Sequence, residues 1–210
     1  MKQERAARTR ETLVRAAAEA FAQEGFVTAS VASIAKRAGV SAGGLHFHFG
    51  SKPLLAEVVE CRAAEAVRMI TFGRLDRCAE ALQLMVDSTH DLVALLAGDP
   101  VVRAGFGLCA DTARVSVADP RKLWRLWTEE VFRLAEQERQ LACGVSACAA
   151  AHAVVAATVG FEVLGAAEPE WVSREAVTTF WELLLPRFAA PEALGRLDAG
   201  GSQPVRRSGF

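Results

Sequence analysis

The sequence contains no tyrosine and only seven prolines among its 210 residues. With so little proline, long stretches lack the residue that most strongly interrupts helices, and alanine and leucine are abundant in those stretches. Hydrophobic residues make up 51% and charged residues 23% of the chain, which excludes a compositionally disordered protein. This composition, with apolar residues recurring at helical spacing, predicts an all-α protein with a substantial core.

The five cysteines form no C-x-x-C pair and have no regular spacing, which excludes a disulfide framework and predicts a reducing compartment. Cys148 and His152 lie four residues apart, as two metal ligands on one helix face would, and Cys143 precedes them. No carboxylate follows before Glu162, so buried structural side chains are the favoured interpretation, and no metal is expected.

The sequence also lacks a glycine-rich phosphate loop and a G-x-S-x-G elbow. We therefore expect neither an enzyme nor a bound cofactor.

The first ten residues, MKQERAARTR, are strongly charged and contain no apolar signal segment, so a cytoplasmic protein is expected. Residues 141–161 carry no formal charge over a length close to that of a membrane span. They are mostly alanine and include Ser146, His152 and Thr158, a composition that inserts poorly into a bilayer. A buried helix within a bundle is predicted there.

Positive charge is concentrated at the start of the chain. Residues 1–52 hold eight basic groups against four acidic ones, a net charge of +4, so the remainder carries −5. The basic groups are Lys2, Arg5, Arg8, Arg10, Arg15, Lys36, Arg37 and Lys52. A basic head on an acidic body favours contact between the head and a polyanion, although chance scatter would also give an excess of this size.

Four helices are predicted from about residue 9 to about residue 70. The first covers about 9–23 and is stopped by Gly25, and Thr28 or Ser30 caps the second. The sequence Gly-Val-Ser at 39–41 then reverses the chain and caps a short helix over 42–48, and a longer helix follows from Lys52 to about residue 70. Two helices joined by a three-residue glycine turn are typical of a helix-turn-helix.

The second helix of such a motif enters the major groove of DNA. Ala42, Gly43 and Gly44 are small enough to let its N-terminal end approach the duplex, and serine hydroxyls before it can donate to phosphate oxygens. An ordinary helical hairpin with no DNA partner has the same spacing, so spacing alone leaves both interpretations open.

Three motifs carry a resemblance to a known family over about residues 9–60. They are A-x-x-x-F-x-x-x-G-F from residue 17, I-A-x-x-A-G-V-S from residue 34 and L-x-x-H-F-x-S-K from residue 45. Together they resemble the N-terminal domain of the TetR family of transcriptional repressors. The resemblance implies an all-α homodimer of about nine helices that binds an inverted-repeat operator in double-stranded DNA. It places a helix-turn-helix DNA-binding domain at 1–52 and a ligand-binding and dimerisation domain at 53–189.

The residues expected to contact DNA are Thr28, Ser30, Lys36, Ser41, Ala42, Gly43, Gly44, His46, Phe47, His48 and Lys52. Two of them depart from the family pattern, which usually has a basic residue where this chain has Ala42 and a tyrosine where it has His46. His46 can still donate to a phosphate in place of the tyrosine, and this contact would strengthen if the ring were protonated. The departures keep a second hypothesis open, in which the protein is an interaction module that has lost DNA recognition.

LHFHFGSK and the run DPVVRAGFGLCADTA, followed by LWRLWTEEV, further resemble γ-butyrolactone receptors of filamentous actinobacteria and their pseudo-receptor branch. This implies a repressor released by a γ-butyrolactone-type signal, or by an antibiotic or biosynthetic intermediate, that controls secondary metabolism. A multidrug-responsive repressor of an efflux transporter is the alternative. The ligand-binding residues expected are Met85, His90, Phe106, Cys109, Trp127, Val131, Thr158 and Phe161.

The last two long helices are expected to form the dimer interface. Small side chains on one helix would let backbones approach, and large ones on the other would anchor the contact. The residues concerned are Ala149, Ala153, Ala156, Gly160, Trp181, Leu184 and Leu185. From residue 190 to 210 the glycines and prolines and the lack of apolar patterning predict a flexible C-terminal tail.

Overall fold

The computed structural model describes residues 2–72, 80–110 and 114–202, and they are almost entirely helical. The helices are α1 Lys2–Thr28, α2 Val31–Arg37, α3 Ala42–Phe49, α4 Lys52–Phe72, α5 Ala81–Gly98, α6 Pro100–Cys109, α7 Pro120–Gln137, α8 Ala147–Gly165, α9 Arg174–Phe188 and α10 Pro191–Leu194. A 3₁₀ turn, Pro169–Val172, precedes α9. No strand occurs in the described ranges, which confirms the all-α prediction.

The described residues fall into two compact units. Unit 1 contains the described parts of Met1–Met69 and Leu95–Trp124, and unit 2 contains the described parts of Ile70–Ala94 and Arg125–Phe210. Unit 1 therefore joins the predicted helix-turn-helix to α6, a helix that the sequence had assigned to the body.

The core of unit 1 is built from side chains of α1, α2, α3, α4 and α6. Leu13, Ile34, Leu45 and Leu55 are fully buried, at the positions that helical periodicity predicts. Where α6 crosses α4, a Cβ atom on Gly105 would overlap the methyl group of Ala63. Only glycine fits at that crossing, so α6 is held tightly against the fourth helix.

The predicted stop at Gly25 corresponds to a kink within α1. The Gly25 backbone has φ +76° and ψ 163°, a conformation that glycine adopts without a steric penalty. One further turn follows, to Thr28. Two residues separate it from α2, which begins after the Ser30 cap.

Apolar spacing predicts a helix from Val101 to about Val115, whereas α6 ends at Cys109 and Ala110 takes up its C-cap position. Leu75 and Cys78 share the apolar spacing that predicts the long helix ending before Pro100. Both lie outside the described residues, and the described part of that helix, α5, begins at Ala81.

Helix α8 is the one helix in the described ranges that is by itself long and apolar enough to cross a membrane, with a mean hydropathy of 1.7. The prediction of a helix buried within a bundle is correct for only one of its faces. That face consists of Ala150, Ala151, Val154, Thr158 and Phe161. The opposite face remains exposed although it is apolar, so the subunit leaves it uncovered.

The prediction of a flexible tail from residue 190 is wrong for the described residues 190–202, which we call the C-terminal strap. Its backbone hydrogen bonds run to unit 2: Ala190 N donates to Gln140 O (2.7 Å), Asp198 N to Gln83 Oε1 (2.7 Å) and Ser202 N to Asp87 Oδ1 (2.7 Å). The strap has little apolar patterning, and it is ordered because the side chains of Gln83 and Asp87 accept hydrogen bonds from its backbone. Residues 203–210 of the predicted tail lie outside the described residues.

Candidate functional site

The turn between α2 and α3 presents a short helix whose outer face is open. Ser30 caps α2 by accepting from Ser33 N (3.0 Å), and Ser33 Oγ in turn accepts from Ser30 N (3.2 Å). Ser41 caps α3 by accepting from Gly44 N (3.1 Å). Both serines are exposed. In each cap the hydroxyl oxygen accepts a hydrogen bond, so the hydroxyl proton can still be donated to an anion at the start of the helix, where negative charge is favoured.

Helix α3 buries Leu45 and Phe49 in the unit 1 core and turns its other side chains outward. Ala42, Gly43 and His46 are exposed, and Phe47 is 85% exposed. An exposed phenylalanine on a helix that enters the major groove is suited to contact with thymine methyl groups. The structure thus brings the predicted DNA contacts of α3 together on one exposed surface.

Of the remaining predicted DNA contacts, Thr28 at the end of α1 and Lys36 on α2 are exposed. Gly44 and His48 are half-buried. The His48 ring lies edge-on to Phe47, with 5.3 Å between the ring centroids, so it supports the exposed ring rather than projecting beside it.

His46 has a constrained tautomer. Its Nδ1 lies 2.7 Å from Gly50 O, and since a carbonyl oxygen can only accept, Nδ1 must carry the proton. In the neutral ring the other nitrogen, Nε2, is then an acceptor. Nε2 can therefore donate to a phosphate only when the ring is protonated. In the neutral ring it is matched to the amino group of adenine or cytosine.

Lys52 does not have the role that the sequence predicted for it. Its ammonium group donates to Phe26 O (2.8 Å), Ala29 O (2.9 Å) and Val27 O (3.3 Å), and it lies 4.5 Å from the centroid of the Phe26 ring. An ammonium has three protons, and all three are used. Lys52 thus caps the last carbonyls of α1 and the Ala29 carbonyl that follows, and its protons are not available to DNA.

The predicted ligand-binding residues are divided between the two units. Phe106 and Cys109 lie in unit 1, where Phe106 is buried and Cys109 Sγ contacts Gly105 O at 3.1 Å. Burial is the main cause that raises the pKa of the Cys109 thiol to about 12, with the charges of Asp119 and Glu60 acting in the same direction. Cys109 therefore stays a neutral thiol.

In unit 2, Met85, Val131, Thr158 and Phe161 are buried and Trp127 is half-buried. His90 is also buried, but its Nε2 lies 2.9 Å from Ala199 O and must donate to that carbonyl. The C-terminal strap thus occupies the ring nitrogen that was expected to orient a ligand. His90 is therefore not available for that role.

Sequence reasoning missed a set of buried polar groups in unit 2. Ser88 Oγ, Thr128 Oγ1 and Trp181 Nε1 are buried and have no hydrogen-bond partner among the described residues. A buried polar group left without a partner costs about 1–3 kcal/mol, so such groups are uncommon outside functional sites. The sequence offered one indication of them, because Thr128 directly follows Trp127, a predicted ligand-binding residue.

The predicted dimer residues on α8 lie on the face of that helix that the subunit leaves uncovered. Ala149, Ala153 and Ala156 are exposed, Gly160 is half-exposed, and the apolar stripe continues to Leu164. Small side chains in such a row permit close approach of a second helix.

On α9 the prediction needs a correction. Trp181 and Leu185 are 0% and 3% exposed, because they face the core of unit 2, and Phe180 packs edge-on against Trp181 with 5.2 Å between ring centroids. Leu184 is half-buried, and Leu183, at 70% exposure, is the large outward side chain. Leu183 lines a surface groove of about 490 Å³ together with Trp171. Leu183 and Trp171 replace Trp181 and Leu185 in the candidate dimer surface.

Comparison with known proteins agrees with this geometry. Residues 13–59 match the model of bacterial regulatory proteins of the tetR family. The chain is 32% identical to TylP, a TetR regulator from Streptomyces fradiae, over 95% of this chain and 87% of that one, with a TM-score of 0.66. The chain belongs to the TetR family.

Two further relatives place it within the family. It is 26% identical to the A-factor receptor protein of Streptomyces griseus, over 95% of this chain and 71% of that protein. It is also 26% identical to CprB of Streptomyces coelicolor, whose structure was solved with its operator sequence, over 91% of this chain and 94% of that one, with a TM-score of 0.78. This TetR-family protein is thus a DNA-binding transcriptional regulator, not an enzyme, and it resembles the γ-butyrolactone receptors.

Proposed function

We propose that this TetR-family protein is a cytoplasmic repressor that binds an inverted-repeat operator as a homodimer and leaves it when a small molecule binds unit 2. The proposal rests above all on helix α3, whose outer face is open and carries side chains suited to base edges. Residues 1–52 are the proposed DNA-binding domain. In helix-turn-helix dimers the two half-sites lie about 34–36 Å apart.

A second copy is proposed to cover the exposed apolar face of α8 and the adjoining Leu183 and Trp171. Exposed apolar surface of this kind on a soluble protein marks an interaction site. A two-fold interface pairs the same surface of both copies, which explains why the stripe needs no complementary charge.

The effector is proposed to be a neutral, largely apolar molecule with oxygen acceptors, such as a γ-butyrolactone or a biosynthetic intermediate of an antibiotic. Among the partnerless buried atoms of unit 2 in the described residues are two hydroxyls and an indole N–H, and all three can donate to a carbonyl or ring oxygen. A further such atom, Glu80 Oε2, belongs to a carboxylate whose other oxygen pairs with Arg196. A structural neighbour at 25% identity is a γ-butyrolactone receptor by name, and the curated relative is a receptor for A-factor. We propose that the regulated genes belong to secondary metabolism, because a structural neighbour is described as controlling antibiotic production.

The efflux alternative has less support from the site. A buried cationic effector would need a carboxylate as its partner, but Asp87 already accepts from Gln83 Nε2 (2.9 Å) and from the strap, and the carboxylate of Glu80 pairs with Arg196. A neutral effector matches the available donors better.

An electrophoretic mobility shift experiment tests the proposal. Full-length protein and a duplex from upstream of its own gene are mixed at 50 to 300 mM salt, with and without the γ-butyrolactone class of signal. Retardation that weakens steeply as salt rises, and release by the lactone, are expected. Absence of retardation at the lowest salt, or affinity independent of salt, would favour the interaction-module hypothesis.

A further inference from the structure

The recognition helix lacks a permanent positive charge. Its sequence, AGGLHFHF, contains no lysine or arginine. Affinity for DNA depends largely on lysine and arginine side chains that neutralise phosphates. If this head binds DNA, those charges must come from elsewhere in the domain.

Two of the head's basic groups are already used internally. Lys52 is saturated by three backbone carbonyls and the face of Phe26. Arg37 Nη1 donates to Gln23 Oε1 (2.8 Å) and Nη2 to Glu24 Oε1 (3.2 Å). Four of the others, Arg5, Arg8, Arg10 and Arg15, are exposed on α1, so the uncommitted charge lies mainly on that helix.

Arg10 is the arginine of this group that contacts α3. Its guanidinium carbon lies 5.0 Å from the centroid of the Phe49 ring, and Phe49 is the last residue of α3. Arg10 is exposed, and no carboxylate of the described residues forms an ion pair with it. A guanidinium that stacks on an aromatic face keeps its N–H groups free at the edge, the geometry that suits bidentate donation to a phosphate.

We propose that Arg10 binds a phosphodiester of the DNA backbone beside the C-terminal end of α3 and supplies the charge that the recognition helix lacks. Phe49 holds the guanidinium in place, so little side-chain freedom is lost on binding. This inference rests on the proposed DNA-binding function. It assigns Arg10 to affinity for duplex DNA of any sequence and leaves base reading to the α3 face.

The test compares Arg10→Gln with Arg15→Gln in the full-length protein. Arg15 is exposed on the same helix, but it is about 140° around the axis from Arg10 and lines a mixed-charge groove with Glu11 and Glu19. Binding is measured by fluorescence anisotropy from 50 to 300 mM salt. Two duplexes are used, one from upstream of the protein's own gene and one of random sequence and equal length.

One phosphate contact per subunit contributes about 0.9 to the salt slope, or about 1.8 per dimer. Arg10→Gln is expected to lower the slope by that amount on both duplexes and to raise Kd at 100 mM salt by at least about tenfold. Arg15→Gln is expected to match the wild type. Arg10→Lys, which keeps the charge, should retain most of the slope and guards against a folding artefact.

Each outcome is decisive. If the wild type binds and Arg10→Gln has an unchanged slope, or if the loss is confined to one duplex, the assignment of Arg10 is wrong while the proposed function stands. An equal loss in Arg15→Gln also overturns it, because the charge of α1 then acts without a specific contact. If the wild type binds neither duplex, the proposed function itself is wrong.

Discussion

Arg114 Nη1 lies 2.6 Å from Glu60 Oε1, and the side chains of this ion pair are 7% and 0% exposed. Glu60 belongs to α4, and its second oxygen accepts from Val117 N (3.3 Å). The Arg114 guanidinium also lies 4.7 Å from the centroid of the Phe26 ring. The ammonium group of Lys52 contacts the same ring. The segment before α7 is therefore tied both to the fourth helix and to the end of α1 that precedes the helix-turn-helix.

Glu60→Ala is expected to destabilise unit 1 by about 3–5 kcal/mol, because it leaves the Arg114 charge buried without a partner. Chemical denaturation followed by circular dichroism measures this. The double variant Glu60→Leu with Arg114→Met should recover much of the loss, since an apolar pair needs no solvation. A matched control is Arg125→Ala, whose ion pair with Glu129 (2.7 Å) is exposed and contributes less than about 1 kcal/mol. A loss for Glu60→Ala no larger than the control would contradict the interpretation.

The helices of unit 1 were predictable from the sequence because each relies on local signals. Serine caps, glycine breaks and apolar spacing specify α2 and α3 within one or two residues. The role of Lys52 was not predictable, since it depends on carbonyls 23 to 26 residues earlier in the chain. A lysine after a recognition helix has the same local pattern whether it contacts DNA or caps a helix.

The C-terminal strap was missed for a related reason. Its order comes from the side chains of Gln83, Asp87 and His90, more than 100 residues away, and not from apolar periodicity of its own. Trp181 was misplaced because helical spacing shows which residues share a face but not whether that face meets the subunit's own core or a second copy. Both errors concern long-range packing.

Ala42→Lys is expected to strengthen binding of random-sequence and upstream duplexes alike, because it adds a cation to the exposed start of α3. The slope of log affinity against log salt should steepen by about 1.8 per dimer. Fluorescence anisotropy across a salt series measures both. Ala167→Lys, an exposed position in unit 2, adds the same charge outside the proposed DNA-binding domain. If both variants steepen the slope equally, α3 does not approach DNA closely.

Thr128→Val should separate folding from effector binding. Valine has nearly the shape of threonine, and removing a buried hydroxyl that lacks a partner among the described residues is neutral or stabilising by up to about 1 kcal/mol. If Thr128 donates to the effector, the lactone concentration needed for release from DNA should rise about fivefold or more. Thermal unfolding and lactone-dependent release are the two measurements. An unchanged release curve would remove Thr128 from the proposed site.

Gly201→Val should detach the C-terminal strap. Gly201 has φ +76°, and a Cβ atom there would lie 2.9 Å from His90 Cδ2, so a branched side chain is both strained and obstructed. Trypsin is expected to cleave after Arg196 at least about tenfold faster in this variant, because cleavage requires local opening of the strap. Gly195→Ala is the control, as no atom lies within 4 Å of the position of its Cβ. Equal cleavage rates in both variants would show that the Gly201 contact does not hold the strap.

Cys109 should resist alkylation at pH 8, whereas Cys61, Cys143 and Cys148, which are exposed, should react. The thiolate is the reactive form, and burial raises the pKa of Cys109 from 9.0 to about 12, so little thiolate is present. The raised pKa also means that burial of the neutral thiol contributes to stability below pH 9, and that this contribution is lost as pH rises toward 12. Iodoacetamide labelling followed by peptide mass spectrometry measures the four rates, with the denatured chain as the reference in which all four should react. Labelling of Cys109 at the rate of Cys148 in the folded protein would show that the end of α6 is open to solvent, and Cys109 would then be exposed enough to act as a redox-sensitive thiol.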